Sequence, residues 1–86
     1  MGKKEKEPVH RIPLGNICAA IWENENEKGV WYNTTITRSY RNGETWNDTT
    51  SLSRDDLPVV RVAADMAHSW IWERTVATRR ERAAEE

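Results

Sequence analysis

VWYNTTITRSYRNGETWNDTT, Val30 to Thr50, is the stretch that decides the fold. Its first half is rich in Val, Trp, Tyr, Thr and Ile, residues whose branched or aromatic side chains pack well on a pleated surface. Side chains of a strand alternate between its faces. Val30, Tyr32, Thr34, Ile36, Arg38 and Tyr40 therefore share one face of a strand, and Trp31, Asn33, Thr35, Thr37, Ser39 and Arg41 the other. The first set is mixed apolar; the second is polar apart from Trp31. Asn42-Gly43 then reads as a hairpin turn, because both residues tolerate the positive φ that a type I′ two-residue loop needs. A turn centred there sets Arg41 opposite Glu44 and Ser39 opposite Trp46, with Glu44 to Leu52 as the returning strand.

Upstream, Val9 to Ile12 reads as a short strand ending at Pro13, and Leu14 to Trp22 as the next one. Ile17, Ala19 and Ile21 point one way; Cys18, Ala20 and Trp22 point the other. Both sets are largely apolar, which suits a central strand covered on two sides or one at a subunit contact. Glu23 to Lys28 reads as an acidic loop closed by Gly29. Downstream, Ser53-Arg54-Asp55-Asp56 opens a helix. Pro58 belongs in a first turn, which favours Asp55 or Asp56 over Ser53 as the cap. Beyond it Leu57, Val60, Ala64, Ala67 and Ile71 form one apolar ridge, and Val59, Ala63, Met66 and Trp70 an adjacent one. The expected fold is α+β: an antiparallel β-meander of three or four strands, then one long C-terminal helix packed on one sheet face. Residues 8–78 make a single domain, between a flexible charged tail at 1–7 and a fraying, charged helix end at 79–86.

A chain of 86 residues has room for one domain and a modest core. Five tryptophans and two tyrosines, with no phenylalanine, supply its bulk. The formal charge of −1 gives no bulk attraction for nucleic acid. Cys18 is the single cysteine, so no intrachain disulfide or cysteine metal cluster can form, and a lone thiol suits a cytoplasmic protein. No apolar run approaches membrane length and the N-terminus has no secretory h-region.

Catalysis needs converging groups, and the spacing offers few. His10 and His68 are the two histidines. Asp65 and His68 stand at i,i+3, an ordinary arrangement on a solvated helix face, with no nucleophile tied to them. Asp55-Asp56 is explained by its place at a helix start. The four glycines are scattered, so there is no phosphate loop. The expectation is a non-enzymatic module with no cofactor and no metal site. The face of Trp31, Thr35, Thr37 and Arg41, with Arg38 and Trp46 nearby, combines stacking rings, hydroxyls and cations. Single-stranded DNA or RNA is bound by that combination. A merely wet sheet face would also alternate Thr and Ser outward. Trp72 lies on the polar side of the helix beside His68, and these two are the expected interface of a homodimer. The alternative class is therefore a protein-interaction or structural homodimeric module without a nucleic-acid role.

Pro8-Val9-His10, Leu14-Gly15-Asn16-Ile17 and Ala20-Ile21-Trp22-Glu23-Asn24 resemble the opening of a family of short uncharacterised bacterial proteins. Arg38 through Tyr40, Arg54-Asp55-Asp56-Leu57 and Ala67-His68-Ser69-Trp70-Ile71 are similar to its later landmarks. The resemblance implies no activity. The order of elements is also similar to that of single-stranded DNA-binding coactivators of the positive cofactor four type and to Whirly-type proteins. That likeness implies a dimer that holds strands on a β surface, although this chain lacks their lysine-rich strands.

Overall fold

The computed structural model describes residues 6–85, with side chains through Arg79. Four strands, β1 His10–Leu14, β2 Ile17–Asn26, β3 Gly29–Asn42 and β4 Thr45–Thr49, form one antiparallel sheet in chain order. A 3₁₀ turn, Arg54–Asp56, leads into a single helix, α1, Leu57–Glu85. The fold is the expected α+β meander with one C-terminal helix against the sheet.

Several boundaries differ from the sequence reading. Leu14 belongs to β1 and pairs with Ile17 across a Gly15-Asn16 turn, so Pro13 lies inside a strand. β1 is an edge strand, where a missing N–H is tolerated. The acidic stretch after Trp22 is strand as far as Asn26, and the loop shrinks to Glu27-Lys28, with the Lys28 amide donating to Asn26 Oδ1 at 2.8 Å. The β3–β4 loop is Gly43-Glu44 rather than Asn42-Gly43, because Asn42 pairs with Thr45. Gly43 has φ +66°, and among the described residues no non-glycine residue has positive φ. Positive φ at the first loop position alone is the requirement of a type II′ turn, whereas type I′ would have forced it on both. The register consequently slides by two: Trp46 faces Arg41, and Ser39 faces Asp48, to which its hydroxyl donates at 2.8 Å. A slide of two preserves the face of every side chain.

β2 supplies the seat for the helix. Ile17, Ala19 and Ile21 point to one side and are buried with Ile12 of β1 and with Ala63 and Ala67 of α1. Ala19, Ile21 and Ala63 are fully buried. Small side chains at the contact let helix and sheet backbones approach closely. Leu14, Tyr32, Ile36, Leu52, Val59, Val60, Trp70 and Ile71 pack around that centre. Trp70 closes one flank, stacked on His10 at 5.0 Å and edge-on to Tyr32 at 5.9 Å. The apolar stripe is narrower than the two ridges read from the sequence. Leu57, Ala64 and Met66 are exposed. The sheet meets only the arc through Val59, Val60, Ala63, Ala67, Trp70 and Ile71.

The helix start also differs. Ser53, not Asp55 or Asp56, caps the 3₁₀ turn. Asp56 reaches back, accepting from the Ser53 amide and hydroxyl, each at 2.8 Å, while the Asp56 amide donates to the Ser53 carbonyl at 3.0 Å. This reciprocal arrangement satisfies donors that a helix start leaves free. At the other end, α1 runs as helix through Glu85. Residues 1–5 of the expected tail and Glu86 lie outside the described residues.

β3 carries two different partners along its length. Gly29 to Arg38 pair with β2, and Arg38 to Asn42 pair with β4. Arg38 alone has a strand on each side. The helix packs on β2 and β1 and touches β3, so the distal β3–β4 hairpin extends beyond it. The result is a thin molecule, 57 × 40 × 16 Å across its Cα atoms. Ala67→Leu should overpack the helix seat and destabilise the fold by about 1–3 kcal/mol. Ala64→Leu, one turn earlier and exposed, should stay within about 0.5 kcal/mol of the parent in urea unfolding. Equal losses from the two would mean that the helix sits on a different arc.

Candidate nucleic-acid interface

Among the described residues no element covers the sheet face opposite the helix. Register assigns its members: Arg11 and Pro13 of β1, Cys18, Ala20, Trp22 and Asn24 of β2, the odd-numbered residues of β3 from Trp31 to Arg41, and Trp46 and Asp48 of β4. Of the six residues expected to bind nucleic acid, five share this face: Trp31, Thr35, Thr37, Arg41 and Trp46. Arg38 does not. It pairs with Ile17 on the helix side, where its Nε lies 3.1 Å from Asp56 and donates to the Ser51 carbonyl at 3.3 Å. Its guanidinium also lies 6.0 Å from the Tyr40 ring centre. Arg38 fastens the distal hairpin to the start of the helix.

The five convergent residues form a track rather than a pocket. Trp31 stands near the β2–β3 turn and Trp46 near the β3–β4 turn, across from Arg41. At ~3.3 Å per strand residue, the ten steps from Trp31 to Arg41 span about 33 Å. Trp46 is 62% exposed and Trp31 45%, so both rings present area to solvent. Between them lie Thr35, half-buried Thr37, Ser39 and exposed Arg41. Arg41 Nε donates to the Gly43 carbonyl at 2.9 Å, which holds its side chain along the turn.

Sequence reasoning omitted Trp22 from this face, and the structure brings it in. Trp22 sits opposite Asn33, diagonal to Trp31, and its Nε1 donates to Thr35 Oγ1 at 2.9 Å. The signal was present, since alternation already grouped Trp22 with Cys18 and Ala20. What was missing was the register that sets that group beside the odd residues of β3. Arg11, opposite Ala20, adds a second cation.

On the helix, His68 and Trp72 are exposed and stack on each other, with ring centres 6.4 Å apart. The two residues expected to form a dimer contact are thus together, on the side of α1 away from the sheet. Their neighbours Asp65, Ser69 and Glu73 are polar and exposed. A groove of about 580 Å³ runs between the β2–β3 hairpin and the C-terminal half of α1, lined by Glu23, Lys28, Tyr32, Arg74, Thr75 and Thr78 among others. Its lining sets Glu23 against Lys28, Arg74 and Arg79. Arg74 donates from Nε to the Tyr32 hydroxyl at 3.1 Å, lies 3.5 Å from Glu23, and covers the Trp70 ring at 5.2 Å. The Tyr32 hydrogen bond, then the Glu23 charge, push the Arg74 guanidinium above its already high ordinary value. Among the described residues no three His, Cys, Asp or Glu side chains converge as a metal site would need. No described helix is long and apolar enough to cross a membrane.

Comparison with protein-family models, curated proteins and solved structures finds no match. The geometry of the chain is accordingly what a functional reading has to rest on.

Asp56 carries a pH signature. Its hydrogen bonds from Ser53, and then the Arg38 charge, hold its carboxyl below the ordinary value of 3.8. A carboxyl lowered by folding contributes stability that is full above that ordinary value and lost as pH falls through the lowered one. Asp56→Asn should therefore be less stable than the parent at neutral pH, with the difference shrinking in acid. Urea midpoints recorded at pH 7 and below pH 3 check this; a gap that stays constant would remove Asp56 as a titrating contributor.

Proposed function

We propose that this chain is a non-enzymatic binding module whose helix-free sheet face takes single-stranded nucleic acid. The observation that carries the reading is the pair of exposed rings, Trp31 and Trp46, at the two ends of one polar track that also holds Arg41. Bases stack on exposed indoles at about 1–3 kcal/mol each, and every base has a face to offer. Threonine and serine hydroxyls between the rings can meet sugar and phosphate oxygens. The track is long enough for a short oligonucleotide, and its flatness suits an extended strand better than a duplex.

Electrostatics sets the character of that binding. The chain has a net charge of −1, and the face carries Arg11 and Arg41 against Asp48. Affinity must come mainly from stacking. With two phosphate-facing cations, the slope of log affinity against log salt should be only about −1.4, since single strands give about −0.7 per neutralised phosphate. A protein-interaction module is the second reading, favoured by the His68–Trp72 stack left in water on the helix.

Titration with oligo-dT at low salt should quench tryptophan fluorescence. Trp46→Ala should weaken binding by about 1–3 kcal/mol, roughly five- to 150-fold, and Arg41→Ala should flatten the salt dependence. Trp72→Ala should leave it unchanged. An absence of response at low salt would remove the nucleic-acid reading and leave the protein-interaction one.

A further inference from the structure

The edge of β3 from Gly29 to Thr37 is bare. β2 pairs along one side of this stretch, and β4 reaches only Arg38 on the other. An antiparallel ladder alternates, so residues whose backbone groups meet one neighbour are followed by residues whose groups face away. The Asn26–Gly29 pair closes a two-residue turn, and its hydrogen bonds turn the odd residues of β3 toward β2. Val30, Tyr32, Thr34 and Ile36 therefore direct their N–H and C=O groups at the open edge. No protein group among the described residues accepts from or donates to them there. Their direction is the one in which Arg38, Tyr40 and Asn42 meet β4, so the open edge continues the line of β4.

Natural edges of this length are defended by charge, proline or a bulge. GVWYNTTIT, Gly29 to Thr37, has no charge and no proline, and it pairs with β2 without interruption. α1 packs mainly on β1 and β2; at the start of this edge its C-terminal half reaches Tyr32 through Arg74 and shares a groove with Gly29 and Val30.

We infer that the Gly29–Thr37 edge pairs with the same edge of a second copy, antiparallel about a two-fold axis, so that two sheets join into one. Such a contact is self-complementary, as a closed dimer requires. Register follows from the space available. Each copy's Glu27-Lys28 turn must stop short of the other's β4, which places the axis near Tyr32. Val30 then meets the partner's Thr34, and Tyr32 meets the partner's Tyr32. Both helices fall on the same side, and the two Trp31–Arg41 tracks join on the other. This contact differs from one through His68 and Trp72, which lie on the exposed side of α1. It does not depend on nucleic-acid binding, and its test is independent of oligonucleotides.

Light scattering during size exclusion should give a molar mass near twice 10.0 kDa. Thr34→Pro removes an edge-facing N–H without touching the β2 ladder, and it should yield a monomer with unchanged far-ultraviolet circular dichroism. Hydrogen exchange on the parent protein needs no variant: amides of Val30, Tyr32 and Thr34 should be slow, like those of Trp31 and Asn33. A monomeric parent would overturn the inference. So would a parent whose three edge amides exchange freely beside protected neighbours, or a dimer that survives Thr34→Pro and is lost in Trp72→Ala.

Discussion

The contact of Ala63 and Ala67 with the Ile17, Ala19 and Ile21 side of β2 is the constraint from which the remaining architecture follows. One helix and one sheet face must supply nearly all the hydrophobic stabilisation, because the described residues form no third layer. Small side chains at the centre bring the two layers close, and the larger ones, Ile12, Leu52, Val59, Trp70 and Ile71, fill the perimeter. Among the described residues Ile21 is the one large side chain wholly withdrawn from water. A core of that size leaves little reserve, and small domains of this kind commonly gain stability through association.

A two-layer molecule also has an uncovered sheet face, and this one places tryptophans on it. Burial of Trp22, Trp31 and Trp46 in a core would have been the expected use of such side chains in a short chain. Only Trp70 is spent fully on the helix–sheet contact, against His10, Tyr32 and Arg74. Two of the rings on the open face are instead held at the ends of a hydroxyl-lined track. The proposed nucleic-acid role and the proposed sheet-to-sheet dimer draw on the same economy: a thin fold that keeps its area outside.

Much of this was legible in the residues, for identifiable reasons. The alternation from Val30 to Arg41 and the 3.6 period after Leu57 identified strand, helix and the face shared by Trp31, Thr35, Thr37 and Arg41. Backbone choices were less legible. Asn42-Gly43 and Gly43-Glu44 differ by one residue, and a glycine serves either turn, so composition could not select the register. Gly15-Asn16 was hidden by the apolar residues on both sides of it, which read as one strand. Alternation already set Arg38 on the face of Tyr32 and Ile36; its partner Asp56, across the fold, is what the strand pattern could not show. Trp22 was missed because its place beside Trp31 is set by pairing between strands, which no single strand's pattern contains.

Arg38 occupies the junction where β3 leaves β2 and takes up β4, and there the sheet is held at few points. The Ser39 amide donates to the Asn16 carbonyl at 2.8 Å, and Arg38 braces against Asp56. Past this point the β3–β4 hairpin is a cantilever, carrying Trp46 and Arg41 at its free end. Its angle to the body is set by the Ser39–Asn16 and Arg38–Ser51 hydrogen bonds together with the ion pair to Asp56 in the helix cap. Stiffness at the tip is thus decided some 10–15 Å away, by the ~3.3 Å rise of each intervening residue. A small rotation at Arg38 would swing Trp46 through a wide arc while the rings at the opposite end stay still.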